Sequence, residues 1–336
     1  YHMQSEKVSV IVPILNEEKY IEKFLNSILE QDYPKENLEI ILVDGMSTDK
    51  TREIIKSYAE KFSFMKLVDN EKKTVQYALN LGIENSSGEY IVRMDAHAWY
   101  AKDYVSKCIE YLKKTNAENV GGPTIVKGKS KIQKVIAAAY SCPFALGGSS
   151  HYKGDFEGYA DTVSWGSFRR DYLVSIGMYD ENMPRSEDDD LNFRIAKNGG
   201  KIFITPKIKS EYYPKETFSK LFKQYFEYGV WKIALIKKHG KPPRITQFIP
   251  MLFVLFLVGF GFLSFFSKAF AELWILGVSL YTVLNFYFSF KSEALEKTSD
   301  KLLLMWANFV MHVSYGAGFI AGIFKFWNNN WRKHEN

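Results

Sequence analysis

Two short stretches hold most of the side chains that could do chemistry. "DAH" places Asp95 and His97 two residues apart, at the end of the strand-like run "EYIVRMD". "SEDDDLNFRIAKNGG" sets Glu187, Asp188, Asp189 and Asp190 ahead of an amphipathic helical pattern closed by glycine. Two more polar clusters follow apolar runs: "NEE" (16–18) after "VSVIVPIL", and "DGMSTDKT" (44–51). Carboxylates gathered in one place repel one another unless a cation joins them. A divalent ion held by Asp95 and His97 would leave coordination positions open for phosphate oxygens. Oxygen with imidazole suits Mn²⁺ at least as well as Mg²⁺. The plainer alternatives are a hydrogen-bonded turn histidine at 97 and a solvated helix start at 187–190, where acids favour the positive end of the helix dipole.

Such clusters need a frame, and the first 245 residues supply one. Apolar runs of four to eight residues alternate with helical patterns, which predicts strand–helix–strand units and a doubly wound α/β sheet. Strands are expected at 8–15, 38–45 and 89–95, with helices at 17–31, 51–62 and 75–86. In such sheets ligands bind beyond the carboxyl ends of the strands, where all three early clusters fall. No G-x-G-x-x-G follows the first strand, which argues against a dinucleotide oxidoreductase.

The chain has 336 residues, 46% hydrophobic and 16% aromatic, with net charge +6. That is enough for two or three units and excludes disorder. Cys108 and Cys142 form neither a metal spacing nor a disulfide framework, which suits a reducing, cytosol-facing location. "YHM" (1–3) reads as a cloning remnant, and no charged-then-apolar leader precedes Val8, so no secretory signal is expected.

Beyond residue 245 the character changes. Stretches 246–266, 273–290 and 302–324 carry no formal charge over 21, 18 and 23 residues. A spanning helix needs about 20. Ahead of them, 215–245 carries Phe218, Leu221, Phe222, Tyr225, Val230 and Leu235 for one helical side, and Lys220, Lys223, Lys232, Lys237 and Lys238 for the other. That pattern describes helices lying in a membrane interface. Lys232, Lys237, Lys238, Lys241 and Arg244 put this side in the cytoplasm by the positive-inside rule. Three crossings would then leave the 328–336 tail outside, against its own Arg332 and Lys333. Asn285, Asn308 and His312 are expected to hydrogen-bond between helices.

The motifs "VSVIVPILNEE", "ILVDGMSTDKT", "GEYIVRMDAH" and "SEDDDLNFRIAKNGG" together resemble the family 2 inverting glycosyltransferases of the GT-A fold. Residues 161–181 and 187–202, with the terminal apolar stretches, are most similar to the succinoglycan-biosynthesis type of membrane-bound glucosyltransferase. The resemblance implies a GT-A catalytic domain over 4–214, amphipathic interfacial helices at 215–245 and about three transmembrane helices within 246–327. It implies Pro13, Glu17, Asp44 and Asp95 as nucleotide-sugar contacts, and Asp95 with His97 as ligands of Mn²⁺ or Mg²⁺. His97 replaces the second acid of the family's usual D-x-D. It further implies Asp188 as general base with Glu187 beside it. Arg169 and Arg170 match the family's basic pair, which either meets a phosphate or lies on the surface. Arg194 matches a helix arginine that pairs with the acids, and with Gln224 it stands among the candidate phosphate or acceptor contacts.

The implied activity is transfer of one sugar, glucose from UDP-glucose, to a polyprenyl-phosphate or diphosphate-linked saccharide. The setting is the cytoplasmic face of the inner membrane, with the lipid bilayer and no nucleic acid among the partners. Two rivals stand beside it. Gln224 opens "QYFEYGVW" where processive synthases carry Q-x-x-R-W, and the arginine is missing, which argues against a processive polysaccharide synthase. A catalytically inactive nucleotide-sugar-binding membrane protein is supported only by the histidine at 97.

Overall fold

The computed structural model describes residues 6–146, 152, 154–242 and 244–328. Residues 1–3 and nearly all of the 328–336 tail lie outside the described residues. The chain forms two compact units. One comprises Tyr1–Ile125 with Lys153–Tyr212, the other Val126–Tyr152 with Tyr213–Asn336.

In chain order the elements of the first unit begin β1 (Val8–Ile14), α1 (Ile21–Leu29), β2 (Leu38–Asp44), α2 (Thr51–Ala59), β3 (Met65–Asp69), α3 (Val75–Glu84), β4 (Tyr90–Arg93), β5 (Ala98–Tyr100), α4 (Tyr104–Thr115) and β6 (Asn119–Gly121). β7 (Ile125–Val126), α5 (Lys131–Ser141) and α6 (Pro143–Leu146) lead into and through the excursion to the second unit. β8 (Gly158–Tyr159), β9 (Ser167–Arg169), α7 (Arg170–Ser175), α8 (Glu187–Lys197), β10 (Ile202–Ile204) and β11 (Ser210–Tyr212) complete the first.

Eight strands lie in the order β3-β2-β1-β4-β9-β6-β10-β8. β3, β2, β1 and β4 run parallel, and β9 enters antiparallel between β4 and β6. β5 and β11 pair antiparallel in a smaller sheet. β2 is buried at every position and β1 at nearly every one, as expected for strands covered on both faces. Alternation splits them between two cores: Val10, Val12, Ile40 and Leu42 pack toward α1 and α4, while Ile11, Ile41 and Val43 pack toward α3, α7 and α8. The chain reverses direction across the sheet between β1 and β4, so a crevice opens at their carboxyl ends.

The second unit adds α9 (Phe218–His239), α10 (Ile249–Leu263), α11 (Lys268–Lys291) and α12 (Thr298–Lys325). Ile245–Leu263, α11 and α12 are long and apolar enough to cross a membrane. The stretch 126–152, expected within the catalytic domain, groups with the second unit. Cys142 lies buried against Asn308, and Lys131 pairs with Asp300, because α5 is amphipathic and its partners are on α12. α9 is one continuous helix. Its Lys232 is buried, as are Leu221, Tyr225, Val230 and Ile233, and does not lie on the solvent side, while Phe222 is exposed. The expected interhelical bonds form: Asn308 Nδ2 donates to Asn285 Oδ1 at 2.9 Å, and His312 Nδ1 lies 3.0 Å from the Tyr281 hydroxyl.

Candidate active site

Three loops meet at the crevice. After β1, Asn16 takes a left-handed conformation (φ 54°), which turns the chain so that its backbone N–H donates to Ser47 Oγ and that of Glu17 to Thr51 Oγ1, both at 2.8 Å. Asp49 accepts from the N–H groups of Thr51 and Glu18, so Ser47, Asp49 and Thr51 lace the loops after β1 and β2 together. Glu17 thereby reaches the loop after β4, its Oε1 lying 3.0 Å from His97 Nδ1. Pro13 pairs with Val43 inside the sheet, one residue before the strand ends.

Asp95 leaves β4 with both carboxylate oxygens engaged. Oδ1 accepts from Arg93 Nε at 3.2 Å and Oδ2 from Trp165 Nε1 at 2.8 Å. Its own N–H donates to the Tyr100 hydroxyl at 2.7 Å. Burial works to raise its pKa, but the charges of Arg93 and His97 outweigh that and hold the carboxyl below its ordinary range.

Arg93 joins the two acidic clusters. Its side chain is 6% exposed, and Nη1 donates to Asp188 Oδ1 at 2.8 Å and to Glu187 Oε1 at 3.2 Å. Burial opposes its charge, yet Asp188, Asp95 and Glu187 raise its pKa well above the usual value. Asp188 moves the other way. Desolvation pushes its carboxyl up, Arg93 pulls it back, and Glu187, Asp95 and Asp189 add to the rise, leaving it at about 7. A carboxylate poised there is matched to proton abstraction near neutrality.

The acids stand where they do because α8 begins at Glu187, behind a left-handed Ser186 (φ 62°). A buried amide chain fixes the helix: Asn119 Nδ2 donates to Asn192 Oδ1 at 2.7 Å, and Asn192 Nδ2 donates to Thr162 Oγ1 at 2.8 Å. Thr162 in turn donates to Asp189 Oδ1 at 3.2 Å. Gly166 lets this chain approach β9, since a Cβ there would lie 2.2 Å from Asn119 Oδ1.

Other expected residues fall elsewhere. Asp44 is wholly buried, accepting from Ser47 and from Arg52 Nη1 at 2.6 Å, so Arg52, which also reaches Asp69, presents the outward face. Arg194 pairs with Asp190 at 3.0 Å and donates to the carbonyls of Ile176 and Met178, so it ties a turn to α8. Arg169 and Arg170 lie away from the acids. β9 runs antiparallel to β4, so Arg169 pairs with Tyr90 at the amino end, and both arginines donate to carbonyls of the helices there. Gln224 belongs to the second unit, where its amide donates to the Tyr228 hydroxyl at 3.0 Å.

Arg93, Trp165 and Arg52 were not singled out from the sequence. Arg93 carried a signal: an arginine closing the buried run "YIVR" must be paired, because a lone buried charge is prohibitively costly.

Among the described residues no three metal-capable side chains converge on one point. The donor set nevertheless fits a shared cation. Asp95, Glu187 and Asp188 face a single guanidinium, leaving negative charge in excess, and Asp95 with His97 offers one carboxylate and one imidazole. Asp95 and His97 would hold such an ion, leaving positions open for oxygen ligands from elsewhere.

An acidic crevice at the switch point of a mixed sheet, closed by a carboxylate-led helix, defines a glycosyltransferase of the GT-A fold. The chain belongs to glycosyltransferase family 2, whose profile matches residues 9–169. It is 34% identical over 239 residues to the dolichyl N-acetyl-alpha-D-glucosaminyl phosphate 3-beta-D-2,3-diacetamido-2,3-dideoxy-beta-D-glucuronosyltransferase of Methanococcus voltae, covering 69% of this chain and 74% of that one. It is 31% identical over 244 residues to the succinoglycan biosynthesis protein ExoA of Rhizobium meliloti, covering 72% and 74%. The mannosyltransferase PcManGT of Pyrobaculum calidifontis, solved with GDP-Man and Mn²⁺, shares the fold with a TM-score of 0.64 at 21% identity, over 96% of this chain and 88% of that one.

Proposed function

We propose that the enzyme is an inverting transferase that moves one sugar, glucose, from UDP-glucose to a polyprenyl-phosphate or diphosphate-linked saccharide. The reading places the reaction at the cytoplasmic face of the inner membrane, in assembly of a polysaccharide repeat. The single observation that carries the chemistry is the Arg93 bridge, which sets Asp95 and Asp188 on one guanidinium. The lipid-linked acceptor is supported by the Methanococcus voltae relative, whose name specifies a dolichyl phosphate sugar, and the polysaccharide setting by ExoA. The cytoplasmic face is supported by Lys237, Lys238, Lys241 and Arg244 ahead of the first apolar helix.

In this reading Pro13 and Glu17 border the nucleotide, and Asp44 acts on it from beneath Arg52. Asp188 takes the proton of the acceptor hydroxyl as that oxygen bonds to the anomeric carbon and the bond to UDP breaks on the opposite face. Glu187 and Arg93 hold Asp188 in place through the shared Nη1. A Mn²⁺ or Mg²⁺ ion held by Asp95 and His97 supplies, when bound, neutralisation of the leaving diphosphate.

The test is transfer by the purified full chain from a panel of UDP-sugars to a defined polyprenyl-linked acceptor, with and without Mn²⁺, beside Asp188→Asn and His97→Ala. UDP-glucose should be the best donor, and the asparagine variant should lose about 10²- to 10⁴-fold in rate. Undiminished transfer by that variant removes Asp188 from its role.

A further inference from the structure

We propose that only α10 and α11 cross the bilayer, as a hairpin that leaves and returns on one face, and that α12 lies across the base of this hairpin at headgroup depth with α9 alongside. The inference concerns the second unit alone and does not depend on the reaction.

The registers of three helix pairs carry it. α10 and α11 are antiparallel. Phe253 stacks on Tyr281 at 4.2 Å, Trp274 Nε1 donates to the Leu257 carbonyl at 3.0 Å, and Gly277 faces Phe256. α11 and α12 are antiparallel as well, since His312 meets Tyr281, Asn308 meets Asn285 at 2.9 Å, and Lys301 Nζ reaches the Phe290 carbonyl at 2.9 Å. A third rod lying along this hairpin would therefore run parallel to α10 and meet later α10 residues as its own numbers rise. The opposite is seen: Gly316 faces Pro250 and Val254, and Phe319 then meets Phe248 at 5.2 Å. No straight helix is antiparallel to both arms of an antiparallel pair unless it crosses them obliquely. α12 crosses near the start of α10 and the end of α11.

Burial agrees. α10 has no buried residue, and α11 has only Asn285 and Ser289, both in its last turns. α12 is buried at intervals from Leu304 to Gly322. The outer part of the hairpin thus presents apolar side chains such as Val258, Phe262, Ile275 and Leu276, each more than half exposed, to whatever surrounds it. Its reach matches a bilayer: the 19 residues Ile245–Leu263 extend about 28 Å at 1.5 Å per residue, against a hydrocarbon core of about 30 Å. At the tip, Lys268 and Glu272 form an exposed ion pair, which requires a polar layer on the far side.

The second half of α12 has a different neighbour. Gly318 packs on the Phe226 backbone, Gly322 on Val230, and Lys237 Nζ donates to the carbonyls of Phe326 and Trp327, at 2.8 Å for the latter. α9 thus runs beside residues 318–327 and brings Lys220, Lys223, Glu227 and Lys232 with it. Charges of that density cost about 2.5–3.5 kcal/mol each at the bilayer centre, so this pair belongs at the interface. With two crossings the chain ends on the face from which α9 comes.

The test places a cysteine at Ser267 in the hairpin turn, at Ser292 between α11 and α12, or at Asn328 after α12, in the full chain within sealed vesicles of either orientation. Cys108 and Cys142 are buried and serve as background. A membrane-impermeant maleimide should label Ser292→Cys and Asn328→Cys from one face and Ser267→Cys only from the other. Labelling of Asn328→Cys from the Ser267 face means three crossings and overturns the proposal. Labelling of all three from one face overturns the crossing hairpin. A protease-cleavable tag after Asn336 asks the same of the otherwise unaltered chain: cleavage from the Ser292 face is expected, and cleavage from the other face refutes it.

Discussion

Arg93 Nη1 stands 2.8 Å from Asp188 Oδ1, joining the end of β4 to the start of α8, residues 95 positions apart in the chain. The same guanidinium reaches Asp95 through Nε, so one planar group sets the distance between the proposed cation ligand and the proposed base. A lysine cannot reproduce this, because its single ammonium carries no fork.

Arg93→Lys should therefore keep the fold and lose most transfer, while Arg93→Met should destabilise the protein by about 3–5 kcal/mol, the range for stripping a buried ion pair of one partner. Melting of the purified variants separates the two effects. Since the charge of Arg93 lowers the Asp188 pKa, the acid limb of the Arg93→Met rate profile should also move to higher pH. A variant with wild-type rate and profile would show that the bridge is not needed.

Asp188 itself gives a second prediction, with opposite signs for rate and stability. The base works when ionised, so kcat should fall as pH drops below about 7. A carboxyl raised from 3.8 to about 7 holds its proton more tightly folded than unfolded. Between those values acid thus favours the folded state at this site. Relative to Asp188→Asn, the wild type should gain stability as pH falls while it loses rate. Parallel rate profiles and pH-dependent melts of the two proteins check both signs.

The first strands around the crevice were legible because β1 and β2 are apolar on both faces and end in polar turns, a pattern that covered parallel strands share. The Asp95 cluster was visible as a polar turn after an apolar run, and the Asp188 cluster as acids ahead of an amphipathic helix. What joins them was not, because Arg93 looks like the polar end of a strand until α8 is brought against it from 94 residues away. The excursion at 126–152 was hidden for a similar reason: α5 shows an ordinary amphipathic face, and the sequence near it says nothing of Asn308, 166 residues on. The position of Arg169 and Arg170 stayed open because β9 is three residues long and antiparallel, a direction that composition does not encode.

Gly166 makes a third prediction. A Cβ at this position would lie 2.2 Å from Asn119 Oδ1 and 2.6 Å from the Phe168 ring, both buried. Gly166→Ala must therefore push Asn119 away from Asn192 and loosen the seat of α8. Overpacking of this kind costs about 1–3 kcal/mol. The variant should melt earlier and lose rate together, and a second change, Asn119→Ala, should restore part of the stability by clearing the clash. If Gly166→Ala melts with the wild type, the chain of amides does not support the acids.

The two arginines after β9 supply the converse case. Arg169 faces Tyr90, three residues from Arg93, which is about 10 Å along a strand and away from the crevice. Arg169 Nη2 donates to the Leu112 carbonyl at 3.2 Å, and Arg170 Nε to Ser86 Oγ at 3.3 Å. Neither contact leads toward the acids. Arg169→Ala and Arg170→Ala should each lower stability by about 1 kcal/mol, the worth of an ordinary hydrogen bond, and leave the KM for the sugar nucleotide unchanged. A tenfold rise in that KM in either variant would put a phosphate at the opposite end of the sheet and break the link between Arg93 and catalysis.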